Sequence, residues 1–169
     1  YTIEPLDSAL IGTTVTLTAK HGAEEYFDAD TIQNLVKYYG LVLPVPVHLA
    51  GNPEPINQIP NDFSVLGRNQ LLSFGSWIFG CTFLDAIPIS TPHINGAAYI
   101  LPYETSVSAK GQHRIYLKQM LLTENGTHIL PDWAFFTQCF FNTSGLRPTA
   151  SREDFYEDAA LEEAREELT

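Results

Sequence analysis

Apolar and polar positions alternate with period two over residues 13–19, where Val15, Leu17 and Ala19 interleave with Thr14, Thr16 and Thr18. This predicts a strand with one buried face. From Asp30 the period lengthens: Ile32, Leu35, Val36 and Tyr39 recur at helical spacing, Gln33 stands where a capping box needs it, and Gly40 supplies a stop. Pro44 and Pro46 make 43–49 an extended edge segment and not a central strand. Residues 51–63 carry Pro53, Pro55 and Pro60 among Asn and Asp, the composition of a connection, so the main boundary is placed there, with 1–50 before it and 51–169 after it. The helical period returns over 68–79 with Leu71, Phe74 and Ile78 on one face and Gly80 beyond, weakened by the internal Gly75. Segments 83–89, 97–101 and 114–122 read as three strands, 131–136 as a short helix opened by Pro131, and 137–141 as a buried aromatic strand. The succession predicts a mixed α/β (α+β) fold.

Composition narrows the class. At 169 residues, 44% hydrophobic and 17% charged, the chain can bury one ordinary core and is too aromatic to be disordered. Its net charge of −11, with nine scattered Lys and Arg, argues against nucleic acid as a partner. The longest apolar stretches fall short of the roughly 18 residues of a spanning helix, so no membrane partner is expected. Cys81 and Cys139 stand apart, which suits reduced, free thiols in a cytoplasmic protein. The five histidines show no mutual ligand spacing, and no metal is expected. The chain opens on Tyr1 and closes inside a charged, helix-like run, and both ends are expected to be cuts.

The densest chemistry lies in Gly145-Leu146-Arg147-Pro148-Thr149-Ala150-Ser151-Arg152-Glu153-Asp154-Phe155. Pro148 disfavours helix at Arg147, while Ser151 with Asp154 three residues on forms a capping box expected to start a helix running towards Leu168. A loop would then deliver Arg152 into the first helical turn. A guanidinium fixed in this way offers the planar donors that stabilise a transferring phosphoryl group. The local alternative is a surface arginine paired with Glu153 or Asp154.

A resemblance bears on that choice. Residues 131–153, from Pro131-Asp132-Trp133-Ala134-Phe135-Phe136 to Ser151-Arg152-Glu153, resemble without a gap the segment of the 90-kilodalton heat-shock protein chaperones that runs from an Ile-Pro-Glu-aromatic start to a Ser-Arg-Glu end. His113-Arg114-Ile115-Tyr116-Leu117-Lys118 is similar to that family's basic Leu-Tyr-Val-Arg strand. Gly12-Thr13-Thr14-Val15-Thr16-Leu17 and Asp30-Thr31-Ile32-Gln33-Asn34-Leu35-Val36-Lys37 resemble the last strand of its N-domain and the helix that follows. Residues 51–94 match poorly, although Ile56-Asn57 with Pro60 and Phe63 can stand for the linker-end motif.

The resemblance implies that residues 1–50 are the exit of an N-terminal ATPase domain plus a linker strand. It makes 51–169 the first part of a middle domain, an α/β sandwich of the type of the second domain of ribosomal protein S-five. It further implies that Arg152 contacts the terminal phosphate of ATP held with Mg by the chain's own N-terminal domain. Thr149, Ser151 and Tyr156 would support that loop, and Phe63 and Trp133 are candidates for client or interdomain contact. Thr149 replaces a usual Asn and Tyr156 a usual Gln. The parent protein would be an ATP-dependent, homodimeric, cytoplasmic chaperone that binds client proteins, whereas this piece, without the nucleotide pocket, would bind no ATP. The alternative is a nucleotide-independent interaction module that kept the fold and lost the cycle.

Overall fold

Small residues at the centre of the sheet decide how closely its strands and covering helix approach. The computed structural model describes residues 11–57, 59–60, 62–106, 111–126 and 128–169. Strands β1 (Asp85–Ser90), β2 (Ile94–Ile100), β3 (Arg114–Leu117), β4 (Met120–Thr123) and β5 (Thr137–Thr143) form one mixed sheet in the order β1-β2-β5-β3-β4. All neighbours are antiparallel except β3 and β5, which run parallel. Gly96 on β2 faces Phe141 on β5, and a Cβ there would collide with the Phe140 carbonyl. Gly75 does the same for a helix: a Cβ on it would run into the buried ring of Tyr99. The glycine that weakens the helix in isolation is the one that lets it lie on the sheet.

Three α-helices occur among the described residues: α1 (Ala29–Tyr39), α2 (Arg68–Phe79) and α3 (Ala159–Glu167). Alternation along the strands splits the core in two. Tyr99, Tyr116 and Phe140 point to the face of α2, with Leu41, Phe63 and Leu71, while Ile94, Ile115, Cys139 and Phe141 point to the face of α3, with Leu146, Phe155 and Leu161. Helix α1 buries no residue fully, but the Tyr116 hydroxyl donates to the Tyr38 carbonyl (3.0 Å) and the Arg114 guanidinium lies 4.0 Å from the Tyr38 ring centre. Asn57 organises the proline segment before α2, accepting from Val47 N–H (2.8 Å) and donating to the carbonyls of Leu43 and Val45. No helix among the described residues is long and apolar enough to cross a membrane.

The mixed α/β class and helix 68–79 stand as the periodicity predicts. Other expectations change. Residues 13–19 form no strand; Val15 and Leu17 are exposed and no other strand among the described residues adjoins them, so the alternation finds no sheet to bury its face. Segment 43–49 is likewise irregular. The single strand expected over 114–122 is a hairpin, broken where Lys118 (φ 48°) and Gln119 (φ 71°) both take left-handed conformations. Such a two-residue turn matches the twist of its strands, but Lys-Gln lacks the Asn-Gly signature that would announce it. The short helix expected at 131–136 is present, as a 3-10 helix (Asp132–Phe136) that follows Pro131.

Candidate functional site

The segment singled out in the sequence is a closed loop standing on two buried feet. Leu146 and Phe155 are 2% and 4% exposed and pack with Ile129 and Leu161 on the α3 face. Between them Pro148 and Phe155 form an antiparallel bridge, flanked by Tyr156 N–H to Arg147 O (2.8 Å) and Thr149 N–H to Asp154 O (2.8 Å). Arg152 N–H closes the tip by donating to Thr149 O at 3.0 Å.

The helix expected from Ser151 does not start there. Ser151 Oγ lies 3.1 Å from Thr149 Oγ1, the Asp154 carboxylate accepts from Phe155 N–H at 2.8 Å, and Arg152 has φ 58°. Both members of the supposed box are engaged inside the loop, and a left-handed residue cannot belong to a first helical turn. Helix α3 begins at Ala159, where Asp158 accepts from Leu161 N–H (3.2 Å).

Arg152 is exposed at the tip. Four of the five arginines have partners: Arg68 pairs with Asp85, Arg114 with Glu124, Arg165 with Glu157 and Glu162, and Arg147 lies 5.2 Å from the Tyr156 ring centre. The Arg152 guanidinium has none among the described residues, so the pairing with Glu153 or Asp154 that local sequence allowed does not occur. Thr149 and Ser151 join hydroxyls below it, and Tyr156 is a half-exposed ring at the neck.

A charged cluster braces the loop from the side of α3. His128 presents Nε2 to Asp154 (3.3 Å) and Nδ1 to Glu157 (3.4 Å). Arg165 grips Glu157 with both terminal nitrogens (3.1 and 2.9 Å), reaches Glu162 (2.6 Å), and donates from Nε to the His128 carbonyl. The Arg165 fork, more than any other neighbour, holds the Glu157 carboxyl below its usual range. Sequence could not assemble this group, because His128 reaches the loop through the packing of Ile129.

Of the two aromatic candidates, Phe63 is corrected: it is 3% exposed, with its ring 5.1 Å from Phe74 and 5.5 Å from Phe140, and serves the core. Trp133 is 48% exposed. Cys81 and Cys139 are free thiols, and burial pushes Cys139 up to about 11. The group that could hold a metal ion was not foreseen: His93, Glu163 and Glu167 bring ligand atoms within 4.8 Å of one another. Glu163 and Glu167 share one face of α3, but His93 lies 74 residues before Glu167, so linear spacing gave no sign.

No family model matches the chain. It is 23% identical over 171 residues to the chaperone protein HtpG of Desulfitobacterium hafniense (strain Y51), an alignment covering 94% of this chain. The relationship is distant. The chain spans 28% of the length of that protein.

Proposed function

We propose that this chain is part of an ATP-dependent chaperone of the 90-kilodalton heat-shock type, and that it supplies Arg152 to the terminal phosphate of a nucleotide held elsewhere. The observation that carries the reading is the unpartnered guanidinium at the tip of a loop with buried feet. Every other arginine already spends its charge on a carboxylate or an aromatic ring. A free, always protonated planar donor set is suited to an anion that develops charge, and a closed loop fixes the height at which it is offered. The similarity to a chaperone along nearly the whole chain supports the same reading.

Under it, residues 1–50 belong to the exit of an N-terminal ATPase domain and 51–169 to a middle domain of the ribosomal S-five domain-two type. ATP with Mg occupies the N-terminal domain, and this piece binds none itself. The full-length protein is a cytoplasmic homodimer acting on client proteins. Exposed Trp133 remains a candidate contact with clients or with the neighbouring domain, whereas Phe63 does not. The second reading, a nucleotide-independent interaction module, is favoured by Thr149 and Tyr156, which replace the residues usual at the loop in the resembling family.

The two readings part on one measurement. Arg152→Ala in the full-length protein should lower ATP turnover at saturating nucleotide by about tenfold or more, up to the 10³ seen for arginines that touch a transferring phosphoryl group. Unchanged turnover overturns the assignment, and absence of turnover in the unaltered protein favours the module.

A further inference from the structure

We propose that Arg165 is the positioning residue of the Arg152 loop, a side chain on α3 that holds the loop through Glu157 and the His128 carbonyl without touching nucleotide. The inference rests on the reading of Arg152 given above and extends it to a residue that lies outside the loop.

The loop has little else to define its tilt. Its feet are buried, but from Arg147 to Glu153 every residue is exposed except half-buried Thr149, and its internal hydrogen bonds close the loop without attaching it to anything. The lateral attachments come from one place. Arg165 donates to Glu157 through two parallel N–H···O bonds, the geometry that fixes direction as well as distance. Its Nε goes to the His128 carbonyl, and its Nη1 also reaches Glu162 one turn back on α3. His128, held from behind by that carbonyl bond, faces Asp154 in the loop and Glu157 after it. His128, which lies 37 residues before Arg165, is thus drawn together with Glu157 and Glu162 on one guanidinium.

Each of these pairs taken singly would count for little. The Arg165 side chain is 30% exposed and that of Glu157 is 58% exposed, and solvent screens such contacts. Shared donors change this, because the arginine is ordered once for four acceptors, and α3 itself is anchored by Leu161 and Ala164 in the core. A lysine at 165 would keep the charge and lose the fork.

The test uses the full-length protein with Arg165→Gln and Arg165→Lys. Hydrogen exchange of a peptide covering 147–156 should quicken about tenfold in Arg165→Gln, with the β5 peptide 137–143 unchanged, and by less in Arg165→Lys. ATP turnover should fall in kcat with KM unchanged, and Arg165→Gln added to Arg152→Ala should cause no further loss. Unaltered loop exchange overturns the proposal, as does equal quickening in β5, which would mean general destabilisation. An additive loss in the double variant also overturns it, since Arg165 would then act apart from Arg152. Should Arg152→Ala prove silent in turnover, the functional reading fails while the exchange experiment still decides whether Arg165 holds the loop.

Discussion

Among the described residues, two turns hold non-glycine residues in the left-handed region, and they are supported by opposite means. In the β3–β4 hairpin, Lys118 N–H donates to Thr143 O (2.8 Å) and Gln119 N–H to the Asn142 side chain (2.9 Å), so both strained amides are bonded to β5, an interior strand. Arg152 has the same backbone sign, but its amide bonds only within its own loop. The first turn is locked by the sheet. The second is closed on itself and braced from one side by surface charge. Left-handed backbone costs about 1–2 kcal/mol per residue, and where no fold requirement explains it, a functional one is the natural candidate.

The largest effect should come from the point where the second turn does touch the core. Phe155 is buried among Leu146, Ile129 and Leu161, and Phe155→Ala should lower stability by about 3–5 kcal/mol in urea unfolding. Lys118→Ala, exposed beyond the sheet, should cost under about 1 kcal/mol. A small loss at Phe155 would mean that the loop has no fixed feet, and the contrast between the two turns would collapse.

Acid should separate the two regions by pH. Burial holds His113, at the start of the hairpin, down at about 4 against a usual 6.5, and its Nδ1 accepts from Cys139 N–H (3.1 Å) as a neutral ring must. Between those values the unfolded chain binds a proton that the folded chain refuses. The contribution is therefore complete above pH 6.5 and is lost as pH falls towards 4, by about 3 kcal/mol. The Glu157 carboxyl lies below its usual 4.5, so its contribution is complete above 4.5 and fades only as pH falls through the lowered value. Global urea stability should decline first, flattened in His113→Gln, and the loop's own bracing should fail at lower pH. A flat profile from pH 7 to 4 would show that His113 is not desolvated.

How much of this was legible in sequence follows from which features are local. Helix 68–79 carries its own periodicity and the strands read at 83–89, 97–101 and 137–141 their own apolar content, and the structure keeps them with shifted ends. The Lys118-Gln119 turn carries none, because its left-handed backbone is supported by acceptors on β5, some two dozen residues later in the chain. Residues 13–19 show the reverse failure: a correct amphipathic rhythm with no sheet beside it. At the site, Pro148 announced a loop, but Ser151 and Asp154 bonded inward and so gave a false helix start. The brace of His128 and Arg165 depends wholly on packing and was invisible.

The smallest effects probe the strain itself. Replacing Lys118-Gln119 by Asn-Gly supplies residues that accept φ above zero, and should stabilise the hairpin by about 0.5–1 kcal/mol. Arg152→Gly relieves the same strain, so it should be more stable than Arg152→Ala by up to about 1 kcal/mol, while both lose the guanidinium alike. The pair of variants thus separates backbone from side chain at one position. Should Arg152→Gly be less stable than Arg152→Ala, the left-handed backbone at 152 is not what the loop contends with, and the likeness of the two turns is lost. Should both fall well below the unaltered protein, the guanidinium has a partner within this fold, and its freedom to meet a phosphate goes with it.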